Sequence, residues 1–417
     1  MKTLLKSATI IDPGSAHHLQ TCDLLIEGGF ITKIDSSLAD KADRTVVLPN
    51  LHISVGWFDP GVSFGEPGME ERETLNNGLK TAARSGFSAV AISSNTQPVP
   101  DSRSGIEYIR SKSGVHGVNA LPLGALTMNA EGTDLAELFD MYREGAAGFS
   151  DHKKPVANAN LLKIALQYCQ NFEGLVHSFP LEPSLAYKGV MNEGVNSTKL
   201  GMKGIPALAE AVQIERDLRI LEYTGGKLHI PTVSTAEGVE LIKKAKDKGL
   251  EVSCSVSINN LLLHDDVLGE YDSRYKLLPP LRTPGVSSVL IEALKEGIID
   301  GVTTDHTPLN IELKNTEFEL SAFGSIGLES GFGALCAVTD LETAIVGYTR
   351  LRNTYGLPER SIEVGQPAEI SLFDPQLEWK FTANEIISSN KNAALLEQSL
   401  KGKAYGILSG DHLELSE

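Results

Sequence analysis

The sequence predicts an α/β fold: an eight-stranded (β/α)8 barrel of TIM type, with a small β-sandwich domain built from both ends of the chain. Two observations carry that prediction. Short apolar runs rich in β-branched residues alternate with longer helical patterns, and eight such runs fall within about 250 residues. Both ends of the chain instead alternate apolar and polar residues between Gly and Asp turns, as short antiparallel strands do.

In order, the strand candidates are "LHISVGWFD" (51–59), "FSAVAIS" (87–93), "NALPLGAL" (119–126), "GAAGFS" (145–150), "EGLVHS" (173–178), "KLHIPTV" (227–233), "LEVSCSV" (250–256) and "DGVTT" (300–304). Helix candidates between them include 133–145, 158–171, 204–225 and 235–249. Thr133 and Thr235 read as N-caps, and Gly145 and Gly249 as stops. An open doubly wound sheet is the competing arrangement, and eight strand units in this length favour the closed barrel. Residues 1–50 and 356–417 then form the two parts of the small β domain, and 51–355 form the barrel.

Composition excludes several classes. The chain has 417 residues, enough for a large core, and 41% of them are hydrophobic. A formal net charge of −17 argues against nucleic acid and anionic membranes as partners, because both require basic surfaces. Cys22, Cys169, Cys254 and Cys336 lie far apart with no CxxC, so neither a disulfide framework nor a thiolate zinc site is expected. The start "MKTLLKSATIIDPG" reaches Asp12 and Pro13 before any signal-peptide core forms, and no run approaches the roughly 18 apolar residues of a membrane helix. A cytoplasmic protein is expected.

Chemistry in such a barrel gathers at the C-terminal strand ends. Those ends carry Gly61, Ser63, Asn95, Asp151, His152, His177, Thr232, Asn259, Asn260, Asp305 and His306. A metal hydrolase needs several His and carboxylate donors there plus an open coordination position. Only Asp151, His152, His177 and Asp305 qualify chemically.

The segments "FDPGVSFGEPGMEERET", "GFSDHKKPV", "MNEGVNSTKLGMKGIPALAE", "LHIPTVST", "KLLPPLRT", "TTDHTPL", "SAFGSIGLES" and "AEISLFDP" carry a resemblance over nearly the full length. The chain resembles the dihydroorotases of the amidohydrolase superfamily, zinc-dependent hydrolases of a cyclic amide. The resemblance implies a metal centre and a clamp for the substrate carboxylate, and here the sequence departs from the family. The family motif D-x-H-x-H-x-R-E-P-G supplies two metal-binding His and an Arg that holds the substrate. Gly61, Ser63 and Gly65 stand in those three places. Thr232 replaces a third metal His, His152 replaces a carboxylate ligand, and Leu278 and Leu309 replace polar substrate contacts.

By the same resemblance His177, Asp305 and His152 remain as candidate metal donors, with Asp305 as a vestigial general base. Asn95, Phe323 and Gly324 remain as candidate substrate-binding residues. Each has a plainer reading. His177 reads equally as a satisfied strand-end histidine, Asp305 as a loop cap, Asn95 as a turn residue in "SSNTQP", and His152 beside two lysines as solvated.

The departures point to a catalytically inactive member of the family with no cofactor. Inactive dihydroorotase-like members assemble with aspartate carbamoyltransferase, so that enzyme is the expected partner and a homodimer the expected state. The alternative is a zinc-dependent hydrolase of dihydroorotate or a related cyclic amide, using His152, His177 and Asp305 as ligands. A metabolite sensor using the remnant pocket is disfavoured by its lost polar anchors.

Overall fold

The computed structural model describes residues 1–416. At the N-terminus β1 (Lys2–Ile10), β2 (Thr21–Glu27) and β3 (Phe30–Asp35) form an antiparallel meander, while β4 (Arg44–Val46) and β5 (His52–Val55) pair parallel to β1. The parallel pairings depart from the all-antiparallel expectation, because the chain crosses back over the meander before entering the barrel.

The apolar run 51–59 divides at Gly56. Its N–H donates to Glu369 O at 2.8 Å and its carbonyl accepts from Arg352 Nη1 at 2.7 Å. The backbone thus leaves the terminal sheet at Gly56, and β6 (Trp57–Val62) opens the barrel. The next strands are β7 (Phe87–Ile92), β8 (Asn119–Gly124), β9 (Gly148–Phe149) and β10 (Leu175–His177). A short two-stranded ribbon, β11 (Met191–Asn192) with β12 (Gly204–Ile205), stands outside the barrel. The barrel then continues through β13 (Lys227–Ile230), β14 (Val252–Ser257) and β15 (Gly301–Thr303), all parallel. Each barrel strand overlaps one predicted run, six of them lying wholly inside it; β6 continues beyond its run to Val62 and β14 to Ser257.

Barrel closure rests on buried polar contacts between the first and last strands. Ser63 N donates to His306 O at 2.8 Å. The Asp59 carboxylate accepts from Thr303 Oγ1 at 2.7 Å, Thr304 N at 2.9 Å and Gly61 N at 3.0 Å. Burial pushes the Asp59 carboxyl upward, and these hydrogen bonds oppose that rise.

Crossover helices cover the outside, among them α1 (Leu75–Arg84), α2 (Arg103–Arg110), α3 (Leu138–Glu144) and α4 (Ala159–Cys169). After α5 (Pro183–Ala186) and α6 (Val195–Leu200) come the long α7 (Ala207–Thr224) and α8 (Ala236–Asp247). Thr235 caps α8 as expected, its hydroxyl accepting from Gly238 N. Thr133 does not cap α3. Met128 N bonds Asp134 O and Ala136 N bonds Leu126 O, which hold 133–137 in a turn and delay the helix to Leu138.

The C-terminal strands β16 (Glu369–Lys380), β17 (Ser399–Ser409) and β18 (His412–Leu415) join β5 antiparallel, so both ends of the chain share one eight-stranded hydrogen-bonded sheet. Trp57 fastens this sheet to the barrel base. Its ring is fully buried, stacks on Phe332 at 4.4 Å and also meets Phe87, Tyr348 and Phe373. Inside the barrel Phe58, Ala89, Leu123 and Leu175 pack on a plug of Leu351, Tyr355 and Leu357. The plug fills this part of the barrel and leaves a cavity at the mouth. Among the described residues no helix is long and apolar enough to cross a membrane.

Candidate functional site at the barrel mouth

The mouth is a cavity of about 40 Å³. Its lining includes Gly61, Ser63, His152, Lys153, His177, Thr232 and Asp305. Small-molecule sites usually enclose about 300–1,000 Å³, and a water in the liquid occupies about 30 Å³. The mouth as folded is narrow for a small-molecule site.

Asp305 and Lys153 dominate its electrostatics. Lys153 Nζ lies 2.8 Å from both Asp305 oxygens, and both side chains are largely buried. Burial pushes the Asp305 carboxyl upward while the Lys153 ammonium draws it back. The reading of Asp305 as a loop cap is therefore corrected: its carboxylate is held by a lysine from the end of another strand. The sequence reading also missed Lys153. The available signal was its place just after β9, where strand-end side chains face the mouth.

The remaining candidates divide into two groups. His177 reaches the mouth, but its Nε2 is buried with no hydrogen bond, and burial pushes its pKa down to about 3. The His177 ring packs between His229 and Tyr355. His229 itself is structural, held between Ser253 and Ser255. His152 also lines the mouth, half-buried. Burial, with Lys153, Arg72 and Lys154 nearby, lowers its pKa to about 3, which corrects the solvated reading.

Asn95 accepts a hydrogen bond from Ser63 Oγ at 2.8 Å and does not line the cavity. Phe323 lies under the Lys276 ammonium, and Gly324 packs against Thr307, so both sit behind the lining. Asp151 points away to Leu126 N, Thr127 N and Thr127 Oγ1. Asn259 and Asn260 bond Ser257 Oγ and Pro280 O.

Three strand-end residues at the mouth share an unusual backbone. His152, Thr232 and Asp305 all have left-handed φ, at 56°, 52° and 52°. For a β-branched residue such as Thr232 this is an outlier costing roughly 1–3 kcal/mol, and its buried hydroxyl has no partner. Gly61 and Gly65 differ in kind. A Cβ at Gly61 would meet only Thr303 Oγ1, at 3.5 Å, so the fold does not require glycine there. Gly65 has φ +109°, and a Cβ would lie 2.7 Å from Met69 O. That turn as folded disfavours any side chain there, an arginine included.

A family model described as Dihydro-orotase-like matches residues 52–238. The chain is 35% identical to the dihydroorotase of Pelotomaculum thermopropionicum, covering 100% of this chain and 99% of that one. It is 34% identical to the dihydroorotase of Geotalea daltonii, with 98% of each chain covered. The chain belongs to the dihydroorotase family. Its fold is shared with L-hydantoinase (dihydropyrimidinase) from Arthrobacter aurescens, at TM-score 0.85 and 18% identity over 100% of this chain and 97% of that structure.

Against this dihydroorotase-family background the mouth does not fit a zinc centre. Among the described residues His152, His177 and Asp305 do not form a trio of donor atoms within 4.8 Å of one another. Gly61 offers no donor, Ser63 is turned to Asn95, and both Asp305 oxygens face a cation. A second positive ion beside Lys153 would be repelled at short range.

Proposed function

We propose that this member of the dihydroorotase family no longer hydrolyses dihydroorotate and serves pyrimidine biosynthesis in the cytoplasm as a non-catalytic, homodimeric partner of aspartate carbamoyltransferase. One observation carries the proposal: the Lys153 ammonium grips both oxygens of Asp305, the residue that by family resemblance is the general base. The lysine supplies internally the positive charge that a metal would supply. It cannot lower the pKa of a bound water from about 15.7 to about 7 as zinc does. The small cavity and the glycine turn at Gly65 support the same reading, since neither accommodates the family's substrate clamp. A scaffold requires only fold and surface, and the fold is that of the family's barrel.

The test combines two measurements. Purified chain with added zinc is assayed for interconversion of carbamoyl-aspartate and dihydroorotate, and then mixed with aspartate carbamoyltransferase on a sizing column. The expected results are no turnover above the uncatalysed rate and co-elution as a larger particle. Turnover would establish the second reading, an active dihydroorotase or related cyclic-amide hydrolase. The full-length similarity to relatives named dihydroorotase favours that reading. Separate elution would refute the scaffold.

A further inference from the structure

Away from the mouth, a group of metal-ligand side chains gathers where the terminal sheet meets the barrel helices. His412 and Glu414 are two residues apart on β18, so both leave the same face of the strand. They face His116, in the tight turn Val115–Gly117 that follows α2. His116 and Gly117 both take left-handed φ, +54° and +74°. A Cβ at Gly117 would fall 2.9 Å from the His412 ring, so the glycine permits this close approach.

The distances within the group are informative. His116 Nδ1 lies 3.2 Å and His412 Nε2 lies 3.5 Å from the same oxygen, Glu414 Oε2. Bonds of about 2.0–2.1 Å in a tetrahedral zinc site place ligand atoms roughly 3.4 Å apart. Among the described residues this is the one trio of His, Cys, Asp or Glu donors within 4.8 Å of each other. The other carboxylate oxygen, Oε1, accepts from Arg84 Nε at 2.9 Å. The guanidinium thus orients the carboxylate through Oε1 and turns Oε2 to the two imidazoles, as outer-shell partners of metal ligands do.

Burial alone would raise the Glu414 carboxyl. Hydrogen bonds from Arg84 and His116 outweigh it and hold the group below its usual range, so it is anionic at neutral pH. His412 is the exposed side of the group, with 46% of its side chain accessible against 16% for Glu414, so water can reach a fourth position. Two imidazoles and one carboxylate suit zinc, cobalt or nickel. Calcium and magnesium instead take six or more oxygens.

We propose that His116, His412 and Glu414 form a three-ligand site for a divalent first-row transition ion of the zinc class, open to solvent at its fourth position. The ion staples β18 of the terminal sheet to the turn after α2. No residue is shared with the barrel mouth.

The test uses the full chain stripped by a chelator, titrated calorimetrically with Zn²⁺ and followed in the visible with Co²⁺. The expected results are equimolar binding, cobalt bands of tetrahedral type, and a higher thermal midpoint with zinc. His412→Ala removes a half-exposed ring, and His116→Gly suits the left-handed backbone, so both variants keep the fold. Each is expected to abolish equimolar binding and the thermal shift, while a folded His152→Gly/His177→Ala mouth variant retains both. Absence of binding in the unmutated chain, binding that survives His412→Ala, or binding lost in the folded mouth variant would each overturn the site.

Discussion

The base and the mouth of the barrel are built from the same strands, yet their backbones differ. At the base, Trp57 Nε1 donates to Ser54 Oγ at 2.9 Å, and Arg352 bridges Gly56 O and the Glu369 carboxylate. Both ends leave buried polar atoms without hydrogen-bond partners, Tyr348 Oη and Arg352 Nε at the base and Thr232 Oγ1 and His177 Nε2 at the mouth, but at the mouth His152, Thr232 and Asp305 also hold left-handed backbone. The left-handed backbone at His152, Thr232 and Asp305 gathers at the strand ends, where the barrel turns into its loops.

The contrast can be sharpened by substitution, beginning with the largest expected effect. Trp57→Ala removes the ring that joins the barrel base to the terminal sheet. It should cost about 3–5 kcal/mol in urea unfolding, as large buried aromatics do. A loss near zero would show that the two units are not coupled through this ring.

At the mouth, Lys153→Met leaves the Asp305 carboxylate buried without its counter-ion. The expected cost is about 3 kcal/mol, with much of it recovered in the Lys153→Met/Asp305→Asn double variant. Simple additivity in that double-mutant cycle would mean that the pair does not serve as an internal substitute for a metal charge.

The two glycines offer a finer test. Gly65→Ala should destabilise by roughly 1–3 kcal/mol, because φ +109° and the Met69 carbonyl both oppose a Cβ. Gly61→Ala should be neutral or stabilise by less than about 1 kcal/mol, since its space is open and its backbone ordinary. Equal costs in thermal melts would refute the distinction.

The smallest effect is expected at Thr232→Gly. It relieves the left-handed strain and removes an orphaned hydroxyl, for a net gain under about 1 kcal/mol after the backbone entropy of glycine. A clear loss of stability would show that the Thr232 side chain holds the mouth together.

Much of the fold is legible in the sequence because its signals are local. The β-branched runs that become β7 and β14 need only a strand period, and Thr235 announces α8 by capping chemistry. Where local signals mislead, a distant contact has intervened. The run 51–59 looks like one strand until Arg352 and Glu369 capture Gly56, and Thr133 looks like a cap until 133–137 are tied into a turn. The candidate site was legible chiefly as an absence. Gly61, Ser63, Gly65 and Thr232 announce missing donors, because a side chain's ligand atoms are a property of the residue alone.

The sequence by itself therefore determined the alternation of strands and helices, the family, and which donors the mouth lacks. Only the tertiary structure decided which distant side chains meet. Lys153 and Asp305 are 152 positions apart, and His116 and Glu414 are 298 apart. Their meeting depends on the parallel strands closing into a barrel and on the two chain ends sharing one sheet. Barrel closure and sheet sharing are set by packing over the whole chain, and no local periodicity encodes them.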